Sequence, residues 1–374
     1  MTQSLFHVGL KWGGLLLCVL APVGLLVHAV PQTTEQTNAT PPAACAKCHV
    51  EALTQPTTYM ANALETVEHS KVLSEHPSLT TTIGQYTYKI ERKGNESEYS
   101  VTDGTATVTM PIRWTMGASS ALGQTYLLEK DGAMYESRVS WFRELNGLGL
   151  TMGYEGTTPA DLQMAAGRLI HQDEKLRCFG CHATNAVHGK ELTLDKLTPG
   201  VQCAHCHVGT EAHLAAMQLK PPPPVPSELK KLIGMSADQA SNFCGQCHRT
   251  WQEIASQPNP GISNIRFQPY RLTSSKCFDP DDARISCLAC HNPHHDFPNP
   301  KTVNFDRQCL ACHAGGNPGV RKASVVPKPG AKACPVAKEN CISCHMPQIE
   351  LPGAHYKFTD HRIRIVKPNE PYPG

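Results

Sequence analysis

The chain has 374 residues and is close to neutral, with 34 Lys and Arg against 32 Asp and Glu and a net charge of +2. That balance, with no basic stripe, excludes a nucleic-acid partner. Aromatic residues make up only 6 %, and Gly (28) and Pro (30) are frequent, so ordinary core material is thin, whereas 17 Cys and 19 His are a large supply of metal-ligating and thiol side chains.

Taken in chain order, residues 1–29 read as a leader. Lys11 precedes an apolar run from Trp12 to Val30, and Val27-His28-Ala29 forms a small-residue cleavage site. A secretory signal peptide has this pattern, and the run also approaches the length of a spanning helix. The expectation is a periplasmic or other extracytoplasmic protein, with an uncleaved membrane anchor as the alternative. Leu17 before Cys18 disfavours a lipoprotein.

Residues 30–79 hold the first C-x-x-C-H, formed by Cys45, Cys48 and His49. The pattern recurs as Cys178/Cys181/His182, Cys203/Cys206/His207, Cys244/Cys247/His248, Cys287/Cys290/His291, Cys309/Cys312/His313 and Cys341/Cys344/His345. Two thiols at this spacing add across the vinyl groups of a porphyrin as thioethers, and the adjoining histidine ligates its iron. C-x-x-C pairs also build zinc ribbons, but zinc does not require a histidine directly after every second cysteine, and all seven pairs carry one. The expected cofactor is therefore seven covalently bound haem c groups.

Residues 80–155 contain no motif. Tyr86, Tyr88 and Ile90 alternate with polar neighbours, and Asp103-Gly104 and Asp131-Gly132 punctuate short alternating runs. This predicts an antiparallel β unit built of hairpins, with Trp114 and Trp141 in its core. Residues 156–374 then carry six motifs, and between 178 and 345 there are roughly 28 residues for each, too few to insulate the sites from one another. The expected fold is a mostly α and irregular haem-packed cytochrome domain with an N-terminal β insert. The prolines of 221–226 read as a stiff connector.

Nineteen histidines less the seven of the motifs leave twelve as candidate second axial ligands. His7 and His28 fall in the leader, and His205 lies inside its own motif. His213 follows His207 by six residues, and His294 follows His291 by three, too close to cap its own haem, so it is expected to reach a neighbouring one. His355 and His361 follow the last motif and are read in the same way, so that one tail holds one haem and caps others. Met60, eleven residues past His49, is an additional candidate at the first site, beside His69 and His76. Cys277 and Cys334 remain over, and in an oxidising compartment a disulfide between them is the simple expectation.

The stretches CFGCHAT, GVQCAHCHVGTEAH, FCGQCHRTW, NIRFQPYRL, CLACHNPHH and CISCHMPQI with HYKFTDHRI resemble exported multihaem c-type cytochromes. That superfamily includes hydroxylamine oxidoreductase, cytochrome c nitrite reductase and their tetrahaem electron-accepting partners. In a superfamily pattern, C-x-x-C-H-G-P-G precedes a ligand histidine; here Val208-Gly209-Thr210 replaces part of it, with His213 in the matching position. Usual cytochrome c nitrite reductases carry lysine in place of one motif histidine, and all seven motifs here end in His. The tyrosine that hydroxylamine oxidoreductase cross-links to its catalytic haem has no match assignable by motif. Nine histidines outside the motifs, the leader and His205, together with Met60, suffice for seven second axial positions, and no motif carries lysine, so the expected activity is an electron-transfer relay rather than a self-contained enzyme, with other cytochromes or a membrane quinol oxidoreductase as redox partners. The alternative is an oxidoreductase acting on a small nitrogen or sulfur oxyanion, or on hydroxylamine, at one open-sided haem, with Arg113, Arg143 or Arg266 lining an anion site.

Overall fold

Between Ser78 and Leu150, β-branched and aromatic side chains alternate with polar ones, and the chain follows that period as a run of antiparallel strands. The computed structural model describes residues 42–117, 122–224, 234–256, 261–296, 303–313 and 333–372. The leader expected over 1–29 lies outside them. Among the described residues, no helix is long and apolar enough to cross a membrane.

Ten strands form one curled sheet: β1 (Leu64–Thr66), β2 (Ser78–Ile83), β3 (Tyr86–Lys93), β4 (Glu96–Thr102), β5 (Thr107–Met116), β6 (Gly123–Lys130), β7 (Ala133–Ser137), β8 (Val139–Phe142), β9 (Gly147–Leu150) and β10 (Gly167–Leu169). The main path runs β10-β7-β6-β5-β4-β3-β2, with β1 on β5, β8 on β6 and β9 on β8. Asp131 (φ 52°) and Gly132 (φ 74°) are both left-handed. They join β6 to β7 in a two-residue turn whose twist matches the strands. On the inner face, Ile90, Tyr99 and Met110 sit side by side across three strands, as do Tyr88, Val101 and Val108. These residues, with Tyr126, Leu128, Val139 and Trp141, form the largest core.

One irregularity decides what the sheet does for the rest of the molecule. Ile112 pairs with Leu128, but Trp114 pairs with Leu127, so β5 carries one extra residue there. Such a bulge switches the face of the residues beyond it. Trp114 consequently leaves the inner core, where it was expected, and joins Leu64, Leu127, Met134 and Ile170 on the outer face. Its ring meets the Phe179 ring edge-on at 6.2 Å. Phe179 lies between Cys178 and Cys181 in the helix that carries the second motif.

The helices are α1 (Pro42–Cys45), α2 (Lys71–Glu75), α3 (Leu162–Ala166), α4 (Gln172–His182), α5 (Cys203–Cys206), α6 (Thr210–Ala216), α7 (Ala237–His248), α8 (Trp251–Ala255), α9 (Gln268–Thr273), α10 (Cys287–Cys290), α11 (Asp306–His313) and α12 (Cys341–His345). Most span one or two turns. The expected mostly-α class is therefore corrected: helix accounts for 31 % and strand for 25 % of the described residues, and the sheet runs from 64 to 169. Two physical reasons account for this. A C-x-x-C-H needs only one helical turn, so seven motifs create little helix. The sheet also recruits β1 and β10, three-residue strands too short to show any periodicity.

Candidate functional site

Each motif occupies a single turn, at the end of α1, α4, α7, α11 and α12 or on α5 and α10. Cysteines three apart share one face of that turn, and the histidine, four past the first cysteine, stands one turn beyond it. The turn is closed by the histidine N–H donating to the first cysteine's carbonyl, at 2.9 Å from His49 to Cys45, 2.9 Å from His207 to Cys203 and 2.8 Å from His291 to Cys287. None of the motif cysteines, Cys45, Cys48, Cys178, Cys181, Cys203, Cys206, Cys244, Cys247, Cys287, Cys290, Cys309, Cys312, Cys341 and Cys344, is taken up in a disulfide. No disulfide joins Cys277 to Cys334 in this structure.

Three motif histidines face a second histidine ring contributed by another part of the chain. His49 and His213 have ring centroids 6.2 Å apart. His207 and His294 are 6.1 Å apart and nearly parallel, at 6°. His291 and His361 are 6.1 Å apart. Two metal–imidazole bonds of about 2.0–2.1 Å, each continued by about 1.1 Å to the ring centre, place the centroids of two axial imidazoles about 6.2–6.4 Å apart. The three gaps match an iron held from both sides.

The other ring nitrogens support the same use. His361 Nδ1 donates to the Thr359 carbonyl at 3.0 Å, His345 Nδ1 to the Arg364 carbonyl at 2.9 Å, and His182 Nδ1 to the Ala63 carbonyl at 3.0 Å. A proton fixed on Nδ1 leaves the Nε2 lone pair for a metal and orients the ring. Burial disfavours the charged form of four of the histidines. It pushes His361 down to about 4, with the neighbouring His291 adding to the effect, and it lowers His182, His248 and His291 as well. His213 Nδ1 is buried with no hydrogen-bond partner. Donor type, spacing and protonation all fit haem c attached through the motif thiols.

The remaining candidates stand elsewhere. The Met60 carbonyl accepts from the Val201 N–H at 2.9 Å, and it is the His213 ring that faces His49. His355 has a left-handed backbone (φ 50°) and packs edge-on against Phe142 at 4.8 Å. His69 bonds Thr66 at 2.8 Å, and His76 lies 5.6 Å from the Trp141 ring. Arg113 is paired with Glu129 at 2.6 Å on the exposed sheet face. Arg266 lies 5.1 Å over the Phe267 ring, with Arg249 5.9 Å from the same ring.

The seven motif sites adjoin one another. Gln55, just past the first motif, donates to the Val201 carbonyl at 2.6 Å, and Cys45 stands beside Cys203. Gly200 (φ 74°) admits the Ala61 carbonyl where any Cβ would overlap it, so the first segment and the approach to the third motif touch backbone to backbone. Thr184, after the second motif, accepts from the Gln202 N–H at 2.9 Å. Cys181 lies 3.8 Å from the Gln246 carbonyl and beside Cys247, and Cys244 lies beside Cys287. Gln308 donates to the Ala289 carbonyl at 3.3 Å, tying the sixth motif to the fifth. The buried Asp306 carboxylate accepts from the N–H groups of Asn340 (2.7 Å) and Cys341 (2.8 Å), tying the seventh to the sixth. The order through space is first, third, then second and fourth, then fifth, sixth and seventh.

Sequence reasoning did not single out Ala63, Thr359 and Arg364, which act through backbone carbonyls and carry no side-chain signal. Asp306 and the Arg271–Asp360 pair were also missed. Asp360 directly precedes His361, which is the only local hint. Comparison with known proteins then gives one finding: a family model described as cytochrome c554 and c-prime matches residues 154–208, the stretch that holds the second and third motifs. No curated protein and no solved structure matches the chain. The family match supports a c-type cytochrome with covalently bound haem c, and electron transfer as its general activity.

Proposed function

We propose that the chain binds seven haem c groups and works outside the cytoplasm as an electron relay between redox partner proteins, such as other cytochromes or a membrane quinol oxidoreductase. The observation that carries this reading is the set of three histidine pairs at 6.1–6.2 Å, at motif sites that adjoin further motif sites. Bound haem supplies one-electron redox chemistry. At the three paired sites the chain would hold the group with an imidazole on each side, and at His361, His345 and His182 a fixed Nδ1 proton would leave Nε2 free for the metal. Of the candidate axial residues, His213, His294 and His361 act from the second side. His49, His182, His207, His248, His291, His313 and His345 act from the motif side. Short segments between motifs keep neighbouring sites close.

Intact mass combined with a denatured haemochrome assay is expected to find seven haems on one exported chain; four or fewer would sink the count. EPR of the oxidised protein is expected to be dominated by low-spin ferric signals. A stoichiometric high-spin signal that shifts on adding nitrite, together with turnover, would replace the relay with a reductase acting at an open-sided haem.

A further inference from the structure

The tail that follows the last motif takes part in a buried charge network whose charged groups pair with one another and not with a motif residue. Arg271 of α9 and Asp360 are 1 % and 0 % exposed and meet in a two-pronged pair, Nε to Oδ1 at 2.9 Å and Nη2 to Oδ2 at 3.0 Å. Arg364 donates from Nη1 to the same Oδ2 at 2.6 Å. The Tyr372 ring lies 4.6 Å from the Arg271 guanidinium carbon and covers it. Ser275, just past α9, donates to the His361 carbonyl at 3.2 Å and accepts from the Ile363 N–H at 2.8 Å.

Residues 360–364 are therefore clamped at both ends, and both ends lead to a haem site. His361 follows Asp360 and faces His291 of the fifth motif. Arg364 embraces His345 of the seventh: its N–H donates to the His345 carbonyl at 3.2 Å, and its carbonyl accepts from His345 Nδ1 at 2.9 Å. A buried ion network seldom adds more stability than apolar residues of equal volume, and its better-attested use is to specify one arrangement. Breaking one partner leaves an unpaired buried charge and frees the segment.

We propose that the Arg271–Asp360–Arg364 triad is a positioning device shared by two haem sites, aiming His361 at the fifth site and orienting His345 at the seventh. This rests on the reading that His361 and His345 are axial ligands. Neither arginine nor Asp360 needs to touch a porphyrin for the device to act.

The test is EPR and optical spectroscopy of the oxidised holoprotein in three variants. His361→Gly is expected to convert one low-spin haem to high-spin, with imidazole restoring it; if nothing changes, the ligand reading itself fails. Asp360→Asn keeps the shape and removes the charge. It is expected to disturb two haem signals, the one already marked by His361→Gly and a second one that His361→Gly leaves in place. Should Asp360→Asn fail to assemble with its haems, Arg364→Met, which retains the Arg271–Asp360 pair, is expected to move the same two signals to a smaller extent. If His361→Gly acts as stated but the triad variants only lower the unfolding temperature and leave every signal unmoved, the triad is structural and the proposal is overturned.

Discussion

At the scale of the residue, His213 is the sharpest case. Its ring faces His49 at 6.2 Å, while its Nδ1 is buried without a partner. An unpaired buried nitrogen costs about 1–3 kcal/mol, a cost that a bond from the other ring nitrogen to iron would offset under the proposed reading. His213→Gly is expected to turn one low-spin haem into a high-spin one, and added imidazole should reverse the change. Met60→Leu should leave the spectrum as it was, because the Met60 contact seen here is made by its carbonyl, which any side chain preserves. A high-spin signal in the Met60 variant, with His213→Gly silent, would exchange the two roles.

At the scale of the element, the sheet is a support for the second motif and not a separate insert. The bulge at Arg113 turns Trp114 outward, and Phe179, 0 % exposed, docks against it from α4. Phe179→Ala is expected to cost about 3–5 kcal/mol, the usual range for emptying a buried aromatic site. Denaturant unfolding would measure it, and a loss under about 1 kcal/mol would mean that the sheet does not brace α4. Asp306→Ala removes the acceptor for two N–H groups at the start of α12 and should cost about 0.5–2 kcal/mol, as loss of a helix cap does. Asp306→Asn, which keeps an acceptor oxygen, should cost less. The hairpins were legible in the sequence because Asp131-Gly132 and the alternation of Tyr86, Tyr88 and Ile90 are local signals. The bulge was not, since an extra residue in β5 alters the pairing with β6 and leaves β5's own composition unchanged. The motif spacing likewise marked His294 as reaching beyond its own site. That it faces His207, and that His213 faces His49, depends on how distant segments cross, which no short stretch encodes.

At the scale of the whole molecule, apolar packing is distributed unevenly. The inner core of the sheet holds Tyr88, Ile90, Tyr99, Met110, Tyr126 and Leu128, all fully buried. Among the described residues beyond 200, the buried hydrophobics are the alanines 237, 240 and 354 with Ile254, Ile265, Leu272 and Leu351. Five of the seven motifs lie in that stretch. Burial of apolar surface contributes about 25 cal/mol per Å², and ordering each residue costs about 1–2 kcal/mol in backbone entropy, so so few side chains do not hold more than a hundred residues in place. Porphyrin surface is the natural remainder, and folding of this part should depend on haem attachment as small metallo-domains depend on their metal. Chain made without haem maturation is expected to keep the sheet and lose the rest. Limited proteolysis should leave a resistant core spanning about residues 64–169 and degrade the remainder, while far-UV circular dichroism retains its strand signal and loses most of its helix signal. Equal resistance across residues 200–372 in the haem-free chain would show that the polypeptide alone supplies the packing.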